Sequence, residues 1–191
     1  MDSTSLTIEE RQLLLGLARQ AIEASAQGQP LPEPDQDSLT PALREPGATF
    51  VTLTEYGELR GCVGALEAYQ PLAQDVIEHA VAASREDFRF HPVRPAEVPH
   101  LHIEISRLTP PVPLQYEKPE QLPELLRPGV DGVILRDGFY RATFLPQVWE
   151  KLPGPAEFLS HLCQKMGAPP GLWRRKVLQV STYQVEEFQE T

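Results

Sequence analysis

The segment LRGCVG, residues 59–64, carries the clearest chemical signal in the sequence, because it places a cysteine between two glycines on a predicted strand. Glycine weakens a strand, so Gly61 and Gly64 predict a bulge or a close approach of another group to the backbone. Residues two apart share one face of a strand, which would bring Arg60 beside Cys62. A nearby cation favours the thiolate, the reactive and metal-binding form of cysteine. The residues alone also fit a small buried cysteine in a tight strand, and both interpretations stay open.

Histidines and carboxylates supply a second set of candidates. His100, His102 and Glu104 would project from one face of a predicted strand, and imidazole and carboxylate are suitable ligands for zinc or iron. Histidines on half-exposed strands are more often solvated, so the trio is a weak metal candidate and no metal site is predicted. His79, on the helix after LRGCVG, either orients Cys62 as a base or lies exposed on a polar face beside Glu78.

Other chemically suggestive residues have simpler interpretations. Cys163 belongs to a helical apolar stripe and is predicted to be core. Residues 174–176, Arg-Arg-Lys beside Trp173, are predicted to be solvated, with RNA or an acidic partner as the alternative. The sequence lacks a phosphate-binding Gly-x-x-x-x-Gly-Lys loop, a Gly-x-Ser-x-Gly elbow and a Gly-x-Gly-x-x-Gly run, so ATPase, serine-hydrolase and Rossmann chemistry find no support.

The elements that must position these residues follow from periodicity and turn signals. Thr7 and Glu10 form a capping box before a helix that ends at Gly28. The remaining pattern predicts an irregular arm over 29–47, a hairpin over 48–66, a helix over 71–86, a surface loop over 87–99, a strand over 100–109, a short helix over 119–126, a hairpin over 129–145 with Asp137-Gly138 at its tip, a helix over 155–166 and a last strand over 176–188. This order predicts an α+β fold of mainly antiparallel sheets with flanking helices.

Composition and charge limit the class of protein that the sequence can encode. The 191 residues, 41% hydrophobic and 23% charged, indicate a globular chain of one domain, in one lobe or two. A net charge of −10 argues against DNA binding, which depends on clustered cations. The sequence begins without a basic or apolar leader and contains no membrane-spanning run, so a cytoplasmic location is predicted. Two cysteines outside any Cys-x-x-Cys pair exclude a disulfide framework.

LRGCVG closely resembles the LRGC-I/V-G signature of the AMMECR domain family, known in bacteria and archaea as protein A of the AmmeMemoRadiSam system. Further stretches match in order over about residues 6–188, including FVTL at 50–53, Pro71-Leu72, EIS at 104–106 and LPQV at 145–148. Residues 87–90, DFRF, stand where the family has Asp-Pro-Arg-Phe, so Phe88 replaces a proline.

The resemblance implies one two-lobed α+β domain over residues 1–191, with segment 59–64 near the cleft between lobes. It implies no established reaction and no cofactor; its associations imply a Memo-type and a radical-SAM partner. The favoured hypothesis is an enzyme, or a component of an enzyme system, with Cys62, Asp87 and Glu104 in catalysis. Arg60, Gly61, Gly64, Arg89 and Ser106 would then bind the ligand. The alternative is a non-catalytic module that docks a partner or small ligand in the same groove, and substrate and oligomeric state stay open.

Overall fold

The computed structural model describes residues 5–35 and 37–191 and divides the chain into two compact units. The first comprises Met1–Thr109 with Glu186–Thr191, and the second Pro110–Val185. Residues 1–4, which contribute to the prediction that no leader is present, lie outside the described residues. None of the described helices has the length and apolar character needed to span a bilayer.

The first unit is built on a sheet in the strand order β2-β1-β4-β9, with β3 paired to the start of β1. β1 is Pro46–Glu55, β2 Glu58–Gly64, β3 Gln70–Pro71, β4 Leu101–Leu108 and β9 Val185–Gln189. β1 runs antiparallel to β2, β3 and β4. Tyr56 and Gly57 both have positive φ, 52° and 85°, which closes the β1–β2 hairpin as a tight turn. β2 therefore ends the sheet order and presents one side of its backbone away from β1.

Helices cover one face of this sheet. α1, Ile8–Gln27, begins at the predicted capping box and ends at Gly28 in the left-handed conformation. α3, Leu72–Arg85, packs against β1 and β2. Val51 and Leu53 of β1 and Ile103 and Ile105 of β4 are fully buried beneath the helices. Because side chains alternate along a strand, Thr52 and its cross-strand neighbours lie on the opposite face.

The second unit contains a sheet in the order β5-β8-β6-β7. Its strands are β5 Val112–Pro113, β6 Gly132–Asp137, β7 Tyr140–Phe144 and β8 Gln179–Tyr183, and its helices are α4 Leu122–Leu125 and α5 Pro155–Lys165. The core of this unit centres on Phe158, whose ring stacks on Trp149 at 3.7 Å. Trp149 donates its indole N–H to the carbonyl oxygen of Asp131 at 2.7 Å, so this buried polar group is satisfied.

Antiparallel sheets with packed helices confirm the predicted α+β class, but two local predictions are wrong. The predicted last strand is two strands, β8 and β9, which belong to different sheets and different units. The break falls at Gln184, directly after Tyr183, whose buried ring packs against Gly132 of β6. The arm over 29–47 also holds one helical turn, α2, Pro41–Arg44, which buries Leu43. The prediction of a single domain with residues 59–64 near a cleft stays a prediction.

Candidate functional site

The LRGCVG strand contains both irregularities that its glycines predict. The pairing of β1 with β2 shifts between Leu53 and Thr54, which leaves Arg60 as an extra residue in a bulge. Gly61 lies against the end of α3: a Cβ at this position would be 2.1 Å from the carbonyl oxygen of Ala83. Gly64 is equally confined, since a Cβ there would be 2.3 Å from the carbonyl oxygen of Thr49. Neither glycine has a positive φ, so close packing alone requires them.

The guanidinium of Arg60 binds Glu97 and not Cys62, contrary to the expectation from strand alternation. Its Nε and Nη2 atoms donate to one carboxylate oxygen of Glu97 at 3.1 and 3.0 Å, and both side chains are largely buried. The second oxygen of Glu97 accepts from the backbone N and Nε of Arg94 at 2.8 and 3.1 Å. Burial opposes ionisation of Glu97, but these donors outweigh it and lower its pKa to about 2. Glu97 is therefore ionised and joins two arginines.

The carboxylate of Asp87 accepts a hydrogen bond from the edge of β2 that faces away from β1. Its Oδ2 accepts from the backbone N of Cys62 at 2.9 Å, which satisfies an amide that points away from β1. Arg89 donates through Nη2 to Oδ2 at 2.6 Å and through Nε to Oδ1 at 2.9 Å. These bonds from Arg89, opposed by burial and aided by the Cys62 amide, hold the pKa of Asp87 well below its usual range. A carboxylate held this way is a poor proton carrier at neutral pH, and the predicted catalytic role of Asp87 stays a prediction.

The 87–97 loop and Arg60 form an open pocket of about 610 Å³. It is lined by Arg60, Phe88, Arg89, Phe90, His91, Pro92, Arg94 and Glu97. The ring of Phe90 has the guanidinium carbons of Arg60 and Arg89 at 5.9 and 5.5 Å from its centroid, within the range of cation–π attraction. Phe88 is almost fully exposed, at 96%. The pocket thus combines three guanidinium groups with aromatic surface.

The thiol of Cys62 lies on the sheet face away from α3, as do the predicted site residues Gly64, Glu104 and Ser106. Thr52 pairs with Cys62 on one side and with Glu104 on the other, and its hydroxyl donates to the thiol sulfur at 3.3 Å. Glu104 is two strands from Cys62, about 10 Å across the sheet. In the same way, Phe50 separates Gly64 from Ser106. None of these residues lines the pocket, so the structure separates the predicted set into a pocket group and a sheet-face group.

His79 is buried, which corrects the expectation of an exposed polar residue. Its Nδ1 lies 3.1 Å from Oδ2 of Asp75, and the hydroxyl of Thr49 donates to the same oxygen at 2.7 Å. Thr49 is on the helix-covered face of β1, whereas Cys62 is on the other face. The sheet therefore separates His79 from the thiol, and His79 is not positioned as its base.

The structure also places the remaining candidates, the histidines of the predicted metal trio and Cys163. His100 lies in a 3₁₀ turn, Val98–His100, before β4 and stacks on Tyr56, so it does not continue the strand face of His102 and Glu104. The described residues hold no group of three or more metal-ligating side chains with suitable geometry. Cys163 is completely buried, as predicted, and burial raises the pKa of its thiol.

The basic cluster over 174–176 is partly occupied by local contacts. Arg174 lies over the ring of Trp173 at 4.4 Å, and Lys176 pairs with Asp137 at 2.7 Å.

Sequence reasoning missed Glu97, Arg94 and Phe90. The three-residue spacing of Arg94 and Glu97 was an available local signal, but the link from Glu97 to Arg60 spans 37 residues and has no local signature.

These features define a two-unit α+β protein with a cationic, aromatic pocket beside the free side of an LRGC strand. The AMMECR1 family profile matches residues 15–188, so the chain belongs to the AMMECR1 family, which confirms the resemblance. A Methanothermobacter thermautotrophicus protein is 39% identical over 194 residues, covering 100% of this chain and 99% of the relative. A Thermofilum pendens protein is 39% identical over 201 residues, covering 97% and 92%.

A solved structure supports the same fold. The crystal structure of the uncharacterized protein PH0010 from Pyrococcus horikoshii superposes with a TM-score of 0.77 at 35% identity, covering 97% of this chain and 93% of that one. The family and fold are therefore established, and these relatives carry no activity in their names.

Proposed function

We propose that this AMMECR1-family chain is an anion-binding component of an enzyme system, and that it binds its ligand in the pocket beside LRGCVG. The observation that carries the proposal is the convergence of Arg60, Arg89 and Arg94 on one pocket of about 610 Å³ in a chain of net charge −10. In the part of the chain that the structure describes, Arg60, Arg89 and Arg94 pair with only two carboxylates, Asp87 and Glu97, so the pocket keeps an excess positive charge that an anionic ligand neutralises.

The arginines keep hydrogen-bond donors that their carboxylate partners do not use. Nη1 of Arg60 is buried and has no hydrogen-bond partner among the described residues. Within the described part of the chain, Arg94 contacts Glu97 through its backbone N and Nε only, which leaves both terminal nitrogens of an 80% exposed side chain for other acceptors. The exposed terminal nitrogens of Arg94 are therefore the donors that a ligand in the pocket can reach, and a guanidinium edge of this kind binds carboxylate or phosphate oxygens.

The geometry favours binding over thiol catalysis. Cys62 contributes its backbone N to Asp87 and its carbonyl oxygen to Arg89, at 3.5 Å, while its sulfur lies on the sheet face with Thr52. The motif thus shapes the pocket through its backbone. Cys62→Ala keeps both backbone contacts and is expected to bind anions within about twofold of the parent, a change of less than 0.5 kcal/mol. A complete loss of anion binding in Cys62→Ala would contradict the backbone role of the motif.

Calorimetric titration with inorganic phosphate at low salt tests the proposal directly. Phosphate is expected to bind, and Arg94→Ala is expected to weaken binding about tenfold, the effect of losing one charge-assisted contact. Arg94 is 80% exposed, so its replacement leaves the fold intact. Arg175→Ala, which removes an exposed arginine of the second unit, is the matched control. Absence of phosphate binding, or equal binding by the two variants, would overturn the proposal.

The proposal extends to a cytoplasmic system with Memo-type and radical-SAM partners, which the family resemblance suggests. Co-expression with such proteins and co-purification on a tag carried by this chain tests it. Retention of either partner after a salt wash of about 0.3 M, where exposed charge contacts are screened, is the expected result. Loss of both partners at low salt would remove this part of the proposal.

A further inference from the structure

We infer that the pocket binds a nucleoside monophosphate, with its phosphate on the arginines and its base against Phe88. The inference rests on the proposed anion-binding function and adds the class of ligand. It concerns a free nucleotide, because the net charge of −10 opposes the tracking of a polynucleotide backbone outside the pocket.

The number of donors favours a phosphate over a carboxylate. One guanidinium fork binds both oxygens of a carboxylate, as Arg89 binds those of Asp87. Arg94 offers its terminal nitrogens on the same pocket, and the exposed His91 lines it as well. A phosphate monoester presents three terminal oxygens and up to two negative charges, so it can engage several of these groups at once.

The aromatic surface favours a ring on the same ligand. Phe88 is 96% exposed and lines the pocket, although burial of a phenylalanine ring is ordinarily favourable. Phe90, in contrast, already packs against two guanidinium groups. A free aromatic face beside a cationic pocket is the arrangement by which proteins stack nucleobases next to bound phosphate. The volume of about 610 Å³ lies within the 300–1,000 Å³ typical of small-molecule sites.

Four probes separate the base from the phosphate: AMP, ribose 5-phosphate, adenosine and inorganic phosphate, each titrated calorimetrically into the full chain. We expect AMP to bind about tenfold more tightly than ribose 5-phosphate, a difference typical of one stacked base. Phe88→Ala should reduce this ratio to about one, whereas Phe88→Tyr should preserve it. Phe139→Ala, which removes a fully exposed ring from the second unit, is the matched control and should also preserve it.

The outcomes distinguish the inference from the function on which it rests. Equal affinities for AMP and ribose 5-phosphate, both weakened by Arg94→Ala, would overturn the nucleotide assignment and retain the anion site. A ratio that Phe88→Ala leaves unchanged would also overturn the assignment, since the base would then lie elsewhere. A further titration with an oligoribonucleotide tests the choice of a free nucleotide, and tighter binding of it than of AMP would overturn that choice. If no phosphate compound binds, the anion-binding function itself fails.

Discussion

Replacing Gly61 by alanine should destabilise the first unit, although alanine ordinarily improves on glycine. The new Cβ would lie 2.1 Å from the carbonyl oxygen of Ala83 and 3.1 Å from its carbonyl carbon. Ordinary carbon contacts require about 3.5 Å, so the end of α3 or strand β2 must move by roughly 1 Å or more. Both neighbours are main chain, and no side-chain rotation relieves the contact.

The size of the effect combines two destabilising contributions and one stabilising contribution. Overpacking in a closely packed interior costs about 1–3 kcal/mol. Asp87 follows the end of α3 by two residues, so a displaced helix end also weakens its bond to the Cys62 amide, a charged hydrogen bond worth about 1.5–3 kcal/mol. Alanine returns about 0.4–1 kcal/mol by restricting the unfolded chain. We expect a net loss of about 2 kcal/mol in the free energy of unfolding, or about 1 M in the urea midpoint.

Gly16→Ala is the matched control, because the chemistry is identical and the surroundings differ. Gly16 lies in α1 with open space around its Cβ position, so its replacement should stabilise the helix by about 0.5–1 kcal/mol. Trp149 and Trp173 both belong to the second unit, so tryptophan fluorescence reports on that unit. Amide exchange of β1 and β4, measured in urea, reports on the first. A Gly61→Ala protein as stable as its parent in the exchange of those strands would refute the close-packing argument.

The other predictions concern thiol reactivity, acid stability and ion pairing. Iodoacetamide should label Cys62 at least tenfold faster than Cys163, because Cys163 is completely buried and burial raises the pKa of its thiol. Peptide mass mapping under native conditions measures both labelling rates. Equal rates would contradict the prediction. The fold lowers the pKa of Asp87, so the ionised carboxylate stabilises the protein above its unfolded pKa of 3.8, and this stabilisation disappears as pH falls below that value. Denaturation from pH 7 to pH 2 should therefore show that the difference in unfolding free energy between the parent and Asp87→Asn becomes smaller below about pH 4. A difference that stays constant over this range would refute the prediction. Arg60→Ala should cost about 2–3 kcal/mol in urea denaturation, because it leaves Glu97 largely buried without that guanidinium, and a loss below 0.5 kcal/mol would show that the pair is structurally neutral.

Elements with complete local signals were predictable from the sequence. The capping box at Thr7 and the glycine at position 28 fixed both ends of α1 because each acts within one helical turn. The β1–β2 hairpin was predictable for the same reason, since Tyr56 and Gly57 form its turn from adjacent residues. In contrast, β8 and β9 form a continuous β-favouring run, and only their pairing with different sheets divides them.

The candidate site was predictable as a set of residues and not as an arrangement. Strand alternation places Arg60 beside Cys62, but the bulge at Arg60 interrupts that alternation, and Glu97, far along the chain, takes the guanidinium. The polar-face interpretation of His79 depended on its neighbour Glu78. Its partners Thr49 and Asp75 instead bury it, and Thr49 is supplied by a strand 30 residues away. Sequence patterns encode periodicity, whereas long-range pairing depends on the assembled fold.

The LRGC cysteine and the pocket are connected through one carboxylate. Asp87 accepts the amide of Cys62 and, with the same oxygen, the guanidinium of Arg89, so the free side of β2 and the wall of the pocket share a single anchor. Gly61 allows α3 to approach this strand, and α3 ends just before Asp87. Gly61, the C-terminal end of α3 and Asp87 therefore together position Arg89 at the pocket. Such a motif can be required for function through its backbone geometry, without any chemistry at the sulfur atom.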